Sequence, residues 1–238
     1  MKQLVLYRGL RVSAEEAAEV IAMIQNDGLH ISDKQEWPGF IWKNLRGNLE
    51  TLFENPELKM VETRPSPNSP DGELSLCFAD RLGAEYYAIK HGSHAEKVVP
   101  ILIKAVVDMN DISIDGRDFL ANALGLMDVD DAAKMERQTQ TLIKIYGPKI
   151  VRYIDKIKRH PDAERMAILD LVSNDNDIIL AHSKNTEVIQ GRFGTNFRCA
   201  FFCKVPIYKN KILDVQVIEG FSENYHPSVT INSILERY

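Results

Sequence analysis

In residues 73–90, ELSLCFADRLGAEYYAIK, the spacing of the apolar side chains changes from that of a strand to that of a helix. Further elements are predicted before and after this segment. Residues 73–79 alternate apolar and polar side chains, which is the period of a β-strand with one buried face. Residues 80–90 then place Ala84, Tyr87 and Ala88 on one face of a helix. We therefore predict a strand that runs directly into a helix.

The chain before this unit is predicted to begin with a short strand and a helix. Residues 3–7, QLVLY, are rich in strand-forming side chains. Ser13 and Glu16, three positions apart, match a capping box that opens a helix. Gly28 is typical of the residue that ends one. Three further predictions are a long loop at 29–41, a helix at 42–54 and an exposed loop at 63–72.

The chain after this unit is predicted to pass from a strand through helices and back to strands. Residues 98–108 form a long apolar segment, and helical periods dominate 116–173, which we interpret as three or four inserted helices. From residue 176 we predict strands in DIILAH, EVIQG, FRCAFFCKVPI and ILDVQVIEG, with a hairpin turn at Lys209-Asn210. This order predicts an α+β fold in a single domain, residues 1–238, with a helical insertion at about 116–173.

Composition narrows the classes of protein to consider. The 238 residues have a net charge of −5, so no strong overall field would attract nucleic acid or anionic lipid. No apolar run approaches the roughly 20 residues that span a bilayer, and we expect no membrane association. The cysteines Cys77, Cys199 and Cys203 are few and odd in number, which favours free thiols in a reducing compartment. We therefore expect a cytoplasmic protein.

Three separate segments carry more specific information. The first is Leu6-Tyr7-Arg8-Gly9, at the end of the first predicted strand. The second is Leu76-Cys77-Phe78-Ala79-Asp80, followed by Ala84-Glu85-Tyr86-Tyr87-Ala88. The third is Thr186-Glu187-Val188-Ile189, followed by Gly194-Thr195-Asn196-Phe197. In this order the segments resemble the pattern of the ADP-ribosyltransferase family, including the mono-ADP-ribosyltransferases and the poly(ADP-ribose) polymerase catalytic fold.

The first segment, by this resemblance, implies a contact with NAD. Family members end the first core strand in an aromatic residue followed by a basic residue and Gly, so Arg8 and Gly9 are candidate NAD-binding residues. The resemblance gives Arg8 the ribose-phosphate portion of NAD. The planar guanidinium suits this role because its N–H donors match phosphate oxygens.

The second segment implies the nicotinamide contacts. By the resemblance, Tyr87 stacks on nicotinamide, with Tyr86 as the second choice. Cys77 stands where the polymerase branch has its first ring, and is the clearest departure from that pattern. Ser75 matches a hydroxyl of the toxin branch and would assist the catalytic carboxylate by hydrogen bonding.

The third segment implies the catalytic carboxylate. By the resemblance, Glu187 begins a strand, holds a ribose hydroxyl and stabilises the positive charge that develops as the glycosidic bond breaks. Arginine-modifying members carry Glu or Gln two positions earlier, where this chain has Asn185. Asn185 is therefore a candidate for orienting an acceptor other than arginine.

Taken together, the resemblance implies a split β-sheet that binds NAD as a substrate in its cleft. The implied reaction transfers one ADP-ribose to a protein or nucleic-acid acceptor and releases nicotinamide. Two alternatives stay open. One is a non-catalytic module that binds NAD or a partner, motivated by Cys77. The other is transfer of an RNA 2′-phosphate to NAD, for which only Arg8 occupies a matching position.

Other polar groups have simpler interpretations. His91 and His94 are interpreted as surface residues, and no metal site is predicted. Asp115-Gly116 is interpreted as a turn. The basic run makes the helical insertion the best place to look for a partner, although such runs are usually solvated faces. Its members are Lys144, Lys149, Arg152, Lys156, Lys158 and Arg159.

Overall fold

The computed structural model describes most of the chain as a mixed α and β fold. The described residues are 2–30, 40–42, 73–90, 97–116, 119–125, 130–157, 168–169, 171–191, 195–224, 228–230 and 233. The predictions for the loop at 63–72, for residues 43–54 and for the pair His91 and His94 lie outside them.

The structure gives the bounds of the following strands and helices, in chain order. The strands are β1 Gln3–Ser13, β2 Gly28–Leu29, β3 Phe40–Trp42, β4 Glu73–Ala79, β5 Val98–Asp108, β6 Ile112–Ile114, β7 Ile189–Gln190, β8 Asn196–Phe197, β9 Ala200–Lys204, β10 Ile207–Tyr208 and β11 Ile212–Val217. The helices are α1 Ala17–Asp27, α2 Arg81–Lys90, α3 Leu120–Gly125, α4 Ala132–Tyr146, α5 Ile150–Ile157 and α6 Asn176–His182. Short 3₁₀ turns occupy Met109–Asp111 and Lys209–Lys211.

Seven of these strands form one antiparallel sheet in the order β11-β5-β1-β4-β9-β6, with β3 also paired to β4. The sheet is weakest in its middle. β1 pairs with β5 along its whole length, from Gln3 opposite Asp108 to Ser13 opposite Val98. It meets β4 at one register position, Tyr7 opposite Ala79. The strands of this sheet thus form two groups. One contains β11, β5 and β1, the other contains β3, β4, β9 and β6, and a narrow seam between β1 and β4 joins them.

A gap opens beside this seam along one edge of β4. β3 occupies the start of that edge, since it pairs with residues 73–75, and β1 occupies its end at Ala79. Among the strands that the structure describes, none pairs with residues 76–78 on this edge, although β9 pairs with them on the other. The main chain of β4 is therefore accessible to side chains at this point.

The two faces of the sheet are covered by different helices. The main core contains Leu6, Phe78, Ile103 and Phe201 together with apolar residues of α1, α4, α5 and α6. The opposite face carries a smaller cluster in which Ala84 and Ala88 of α2 pack against β5 and the chain after β11. This second layer rests on the close approach of α2 to β1.

Several predictions from hydrophobic period are confirmed. Strands occupy residues 73–79 and 98–108 as predicted, and α2 begins one residue later than predicted. α1 ends before Gly28, which has a φ of 91°. The capping box is formed only in part: the Glu16 N–H donates to Ser13 Oγ at 3.3 Å, but the Glu16 carboxylate accepts from the Ser13 hydroxyl, at 2.6 Å, and not from its N–H. Ser13 also does not open the helix, because β1 extends beyond the predicted residues 3–7 to Ser13 and α1 begins at Ala17. Within the predicted insertion lie α3, α4 and α5 and helical residues at 168–169 and 171–173.

Other predictions are wrong. DIILAH is part of helix α6: Asp175 caps it by accepting the Asp177 N–H, and Ile178 and His182, four positions apart, are both buried. An apolar run of this length fits a buried strand or a buried helix, and the cap decides between them.

The hairpin at Lys209-Asn210 is also wrong, because these residues form a 3₁₀ turn between strands with different partners. β10 pairs with β2, and β11 pairs with β5. The predicted loop at 29–41 begins in β2 and ends in β3, and Trp42 is in β3 and not in a helix.

Candidate functional site

Arg8 lies at the gap beside the central seam. Its Nη1 donates to the main-chain carbonyl of Cys77 at 2.8 Å. Cys77 lies in the stretch of β4 that has no described strand on this edge, so the guanidinium replaces the N–H that a neighbouring strand would supply. The side chain of Arg8 therefore spans the gap between the two groups of strands.

Arg8 has no carboxylate partner among the described residues, and its hydrogen bond to Cys77 is its one polar contact there. Other cations of the chain are paired: Arg81 binds Glu85, Arg198 binds Glu223 and Lys211 binds Asp108. A partly buried guanidinium without a carboxylate keeps N–H donors for an anion. The structure thus leaves further N–H donors on the Arg8 guanidinium beyond the one that binds Cys77.

Ser75 and Cys77 share a face of β4, because side chains two positions apart point the same way. Ser75 is buried, whereas Cys77 is partly exposed. The Cys77 Sγ lies 3.9 Å from the Asp115 carboxylate. Cys199 and Cys203 are both buried, and burial raises the pKa of each thiol. These two cysteines are core residues.

Gly9 has a packing role in the structure. A Cβ at this position would lie 2.0 Å from the main-chain oxygen of Ala84 and 2.8 Å from the nitrogen of Ala88. The absence of a side chain is therefore what allows α2 to lie directly on β1. Contact of Gly9 with NAD stays a prediction, and the packing of α2 on β1 accounts for the glycine without such a contact.

Asp80 connects three parts of the site. Its Oδ1 accepts the main-chain N–H groups of Arg198 and Cys199 at 2.8 and 3.3 Å. Its Oδ2 faces the Gly83 N–H at 3.4 Å, at the start of α2. Burial raises the pKa of this carboxyl, and the three N–H groups oppose that rise. Asp80 belongs to a segment singled out in the sequence, but its structural role needs the tertiary fold to be seen.

Asn185 holds the main chain on both sides of Glu187. Its Oδ1 accepts the Glu187 N–H at 3.0 Å. Its Nδ2 donates to the carbonyls of Glu187 and Arg198 at 2.8 and 2.6 Å. If the amide oxygen and nitrogen were exchanged, the oxygen would lie against two carbonyl oxygens, neither of which can donate a hydrogen bond. The surroundings therefore require the orientation described. Both amide hydrogens are used inside the protein, and orientation of an acceptor by Asn185 stays a prediction.

A series of hydrogen bonds connects Arg8 with Glu187 through residues 77–80 and Arg198. Arg8 binds the carbonyl of Cys77, and Asp80 lies three residues further, about 10 Å along an extended strand. Asp80 binds the main chain of Arg198, whose carbonyl is held by the amide that also holds Glu187. Glu187 is partly exposed and precedes β7 by two residues, so it does not itself begin the strand as expected.

The two tyrosines of α2 differ in their surroundings. Tyr87 is 47% exposed. Tyr86 is partly buried, and its ring centroid lies 5.4 Å from that of Phe221. The segment that carries Phe221 is attached to α2, because the buried carboxylate of Glu85 accepts the N–H and hydroxyl of Ser222, each at 2.8 Å. Tyr87 is thus the more accessible ring, and Tyr86 already has an aromatic neighbour.

The basic run of the insertion is partly neutralised. Lys149 lies 2.8 Å from carboxylate oxygens of both Asp175 and Asp177. Lys144 and Arg152 are exposed. Lys158 and Arg159 lie outside the described residues. A shallow pocket of about 310 Å³ elsewhere is lined by Lys2, Met109, Asn110, Asn176 and Asp177, none of them a predicted site residue.

No family model, curated protein or solved structure matches this chain. Across the described ranges, no helix combines the length and apolar character needed to cross a bilayer. In the same part of the chain, His, Cys, Asp and Glu residues do not form a group of three or more suited to a metal ion.

Proposed function

We propose that this chain is an NAD-dependent mono-ADP-ribosyltransferase with NAD bound at the seam between β1 and β4. The observation that carries the proposal is the state of Arg8, a partly buried guanidinium that spans the seam and has no described carboxylate partner. NAD contains a pyrophosphate, which is the kind of anion that such a group binds well.

In the proposed reaction, the bond between nicotinamide and the anomeric carbon of its ribose breaks. Nicotinamide leaves as a neutral molecule, a lone pair of the acceptor forms the new bond to that carbon, and the acceptor loses its proton. Glu187 would stabilise the positive charge on the ribose, since it is partly exposed and its main chain is held on both sides by Asn185. Arg8 would hold the phosphates, and Tyr87 would offer an accessible ring to nicotinamide.

The deciding measurement is the release of nicotinamide from NAD by the purified chain and by Glu187→Gln. This change keeps the shape of the side chain and removes its charge, so we expect the rate to fall by about 100-fold or more. Glu136→Gln, the same change at an exposed position on α4, is the matched control and should leave the rate unchanged. Wild-type activity in Glu187→Gln would reject the proposed role of this residue.

Arg8→Lys gives a second, different expectation. Lysine keeps the positive charge but lacks the planar fork, so KM for NAD should rise by about 10-fold while kcat changes less. Arg152→Lys, at an exposed position on α5, is the control. An unchanged KM in Arg8→Lys would place the phosphates elsewhere.

Two observations favour a second candidate, a non-catalytic module that binds NAD or a partner. Cys77 has no ring to offer, and Tyr86 is already packed against Phe221. If the wild-type chain releases no nicotinamide with any acceptor supplied but binds NAD in a calorimeter, this candidate is preferred. Turnover of a 2′-phosphorylated RNA would instead indicate the phosphotransferase alternative.

A further inference from the structure

After β11 the chain leaves the main sheet and contacts α2 through an exposed segment, residues 220–224, which we call the strap. Ile218, two residues before the strap, is buried against Ala84 and Ala88 of α2. Every residue of the strap itself is exposed, so little apolar burial holds it in place. Its position therefore depends on a small number of polar and aromatic contacts.

Ser222 attaches the strap to a buried carboxylate. The main-chain N–H and the hydroxyl of Ser222 both donate to Glu85 Oε2 at 2.8 Å, while Arg81 Nε donates to Oε1 at 2.8 Å. Glu85 is 1% exposed, and a buried carboxylate needs such partners. If the strap opened, water would reach Oε2 and the bond from Arg81 would stay. The carboxylate thus keeps partners in either state.

Glu223 makes the second polar contact of the strap, an ion pair with Arg198. Arg198 Nη2 lies 2.9 Å from Glu223 Oε2, and the two side chains are 33% and 53% exposed. Solvent screens an ion pair with this exposure, so it holds the strap weakly. The main chain of Arg198 is bound independently by Asp80 and by Asn185, the residue that also binds Glu187. Arg198 therefore keeps its place in the fold whether or not Glu223 is present.

The strap lays an aromatic ring and a carboxylate on two groups beside the proposed site. The ring centroid of Phe221 lies 5.4 Å from that of Tyr86, the second candidate for stacking on nicotinamide, with 34° between the planes. Glu223, two positions further, binds Arg198. An aromatic ring and an anionic group carried by one molecule are also what a nucleotide presents to rings and guanidinium groups.

We propose that the strap is an autoinhibitory closure, whose ring and carboxylate occupy the places that the aromatic ring and the phosphate of a nucleotide take when the strap opens. The ring of the nucleotide then lies on Tyr86, and its phosphate binds the N–H donors of Arg198 that hold Glu223. This inference rests on the proposed function, because it takes NAD as the nucleotide, and it adds regulation of the same site. A site that is open for a fraction of the time binds its ligand with an affinity lowered by that fraction.

The test uses the two partners of the ion pair, because removing either one releases the strap but with opposite effects on NAD binding. Glu223→Gln opens the strap and keeps Arg198, so Kd for NAD in a calorimeter should fall by about 3-fold or more. Arg198→Gln opens the strap and removes the phosphate donors, so Kd should rise by about 10-fold. Glu219→Gln removes a negative charge at an exposed position just before the strap, and should leave Kd unchanged as the matched control.

Deuterium exchange of the strap gives a readout that requires no catalysis. A ligand usually slows exchange at the surface that it covers, whereas a displaced strap should exchange the Ser222 N–H faster when NAD saturates the wild type. Slower or unchanged exchange of this N–H would overturn the closure, even in a chain that releases nicotinamide. So would a Kd that is unchanged in Glu223→Gln or that falls equally in Glu219→Gln.

Failure of the proposed function has a different signature. If no nicotinamide is released but the Kd values and the exchange of Ser222 change as expected, the catalytic role is rejected and the closure is supported. If neither the wild type nor any of these variants binds NAD, both proposals are overturned.

Discussion

Both polar atoms of the Asn185 side chain bind the main chain, and this determines what the residue can do. An amide whose two hydrogens are donated to the carbonyls of Glu187 and Arg198 holds the loop that carries the candidate carboxylate. A residue that orients an acceptor would instead need a donor or acceptor directed at that molecule. The hydrogen bonds therefore suggest that Asn185 positions Glu187.

Asn185→Asp should separate these two roles. It loses both donors and places a carboxylate oxygen against two carbonyls, so the loop around Glu187 should loosen. If Asn185 positions Glu187, kcat for nicotinamide release should fall by about 10-fold or more even without an added acceptor, and amide exchange at residues 186–188 should accelerate. Asn110→Asp, at an exposed position after β5, is the control.

If Asn185 orients the acceptor alone, the outcome differs. Release of nicotinamide to water and amide exchange at residues 186–188 would then stay at wild-type values, while transfer to the acceptor would be lost. The exchange measurement does not require activity, so it tests the hydrogen bonds around Glu187 even if the chain does not cleave NAD.

At the scale of secondary-structure elements, the contact between β1 and α2 leaves no room for an added side chain at Gly9. Gly9→Ala would place a methyl group 2.0 Å from the main-chain oxygen of Ala84, and a main-chain atom cannot rotate away as a side chain can. We expect a loss of at least about 2 kcal/mol in the free energy of unfolding. Gly220→Ala is the control: its Cβ would meet nothing within 4 Å, and it should change stability by less than about 0.5 kcal/mol.

Urea denaturation of both variants measures this difference directly. Equal midpoints for Gly9→Ala and Gly220→Ala would show that α2 does not pack on β1 as closely as described. The same comparison tests the simplest explanation of Gly9, which is that helix packing and not contact with a nucleotide requires a glycine there.

At the scale of the whole molecule, stability in mild acid should depend on His182. This residue of α6 lies among Tyr146 and Phe201, and its Nε2 accepts the Ala200 N–H at 3.1 Å. Burial lowers the pKa of His182 from 6.5 to about 3. Below pH 6.5 the unfolded chain therefore binds a proton that the folded chain does not, and stability must fall as the pH falls.

The expected loss is about 1.4 kcal/mol for each pH unit below the unfolded pKa. Urea denaturation between pH 7 and 5 should show a slope that is steeper by about this amount in the wild type than in His182→Gln, which can accept the Ala200 N–H without titrating. The raised pKa of Asp80 contributes with the opposite sign in both proteins, so it cancels in the comparison. The lowered pKa of Asp175 acts below its ordinary value of 3.8, outside this window. Identical slopes in the two proteins would contradict the buried, neutral state of His182.

The sequence alone was sufficient for elements whose hydrophobic period is long and regular. The strands at 73–79 and 98–108 and the helix after Asp80 were predicted within one residue, because local side-chain pattern decides which face is buried. It was not sufficient for residues 177–182, where a short apolar run fits either kind of element. It was also not sufficient for residues 209–210, where strand partners depend on distant parts of the chain.

For the candidate site too, the sequence was sufficient for some features and the tertiary structure was needed for others. Arg8, Glu187 and Asn185 are candidates because the sequence segments that contain them resemble a family pattern, and a resemblance of this kind can be seen in the sequence alone. The tertiary structure alone decided that Arg8 spans a gap in β4 edge pairing, that Asp80 joins α2 to residues 198–199, and that Asn185 binds the carbonyl of Arg198. These contacts join separate segments of the chain, so the Arg8 contact forms only when β1 has met β4, and the Asp80 contacts at residues 198–199 only when β4 has paired with β9.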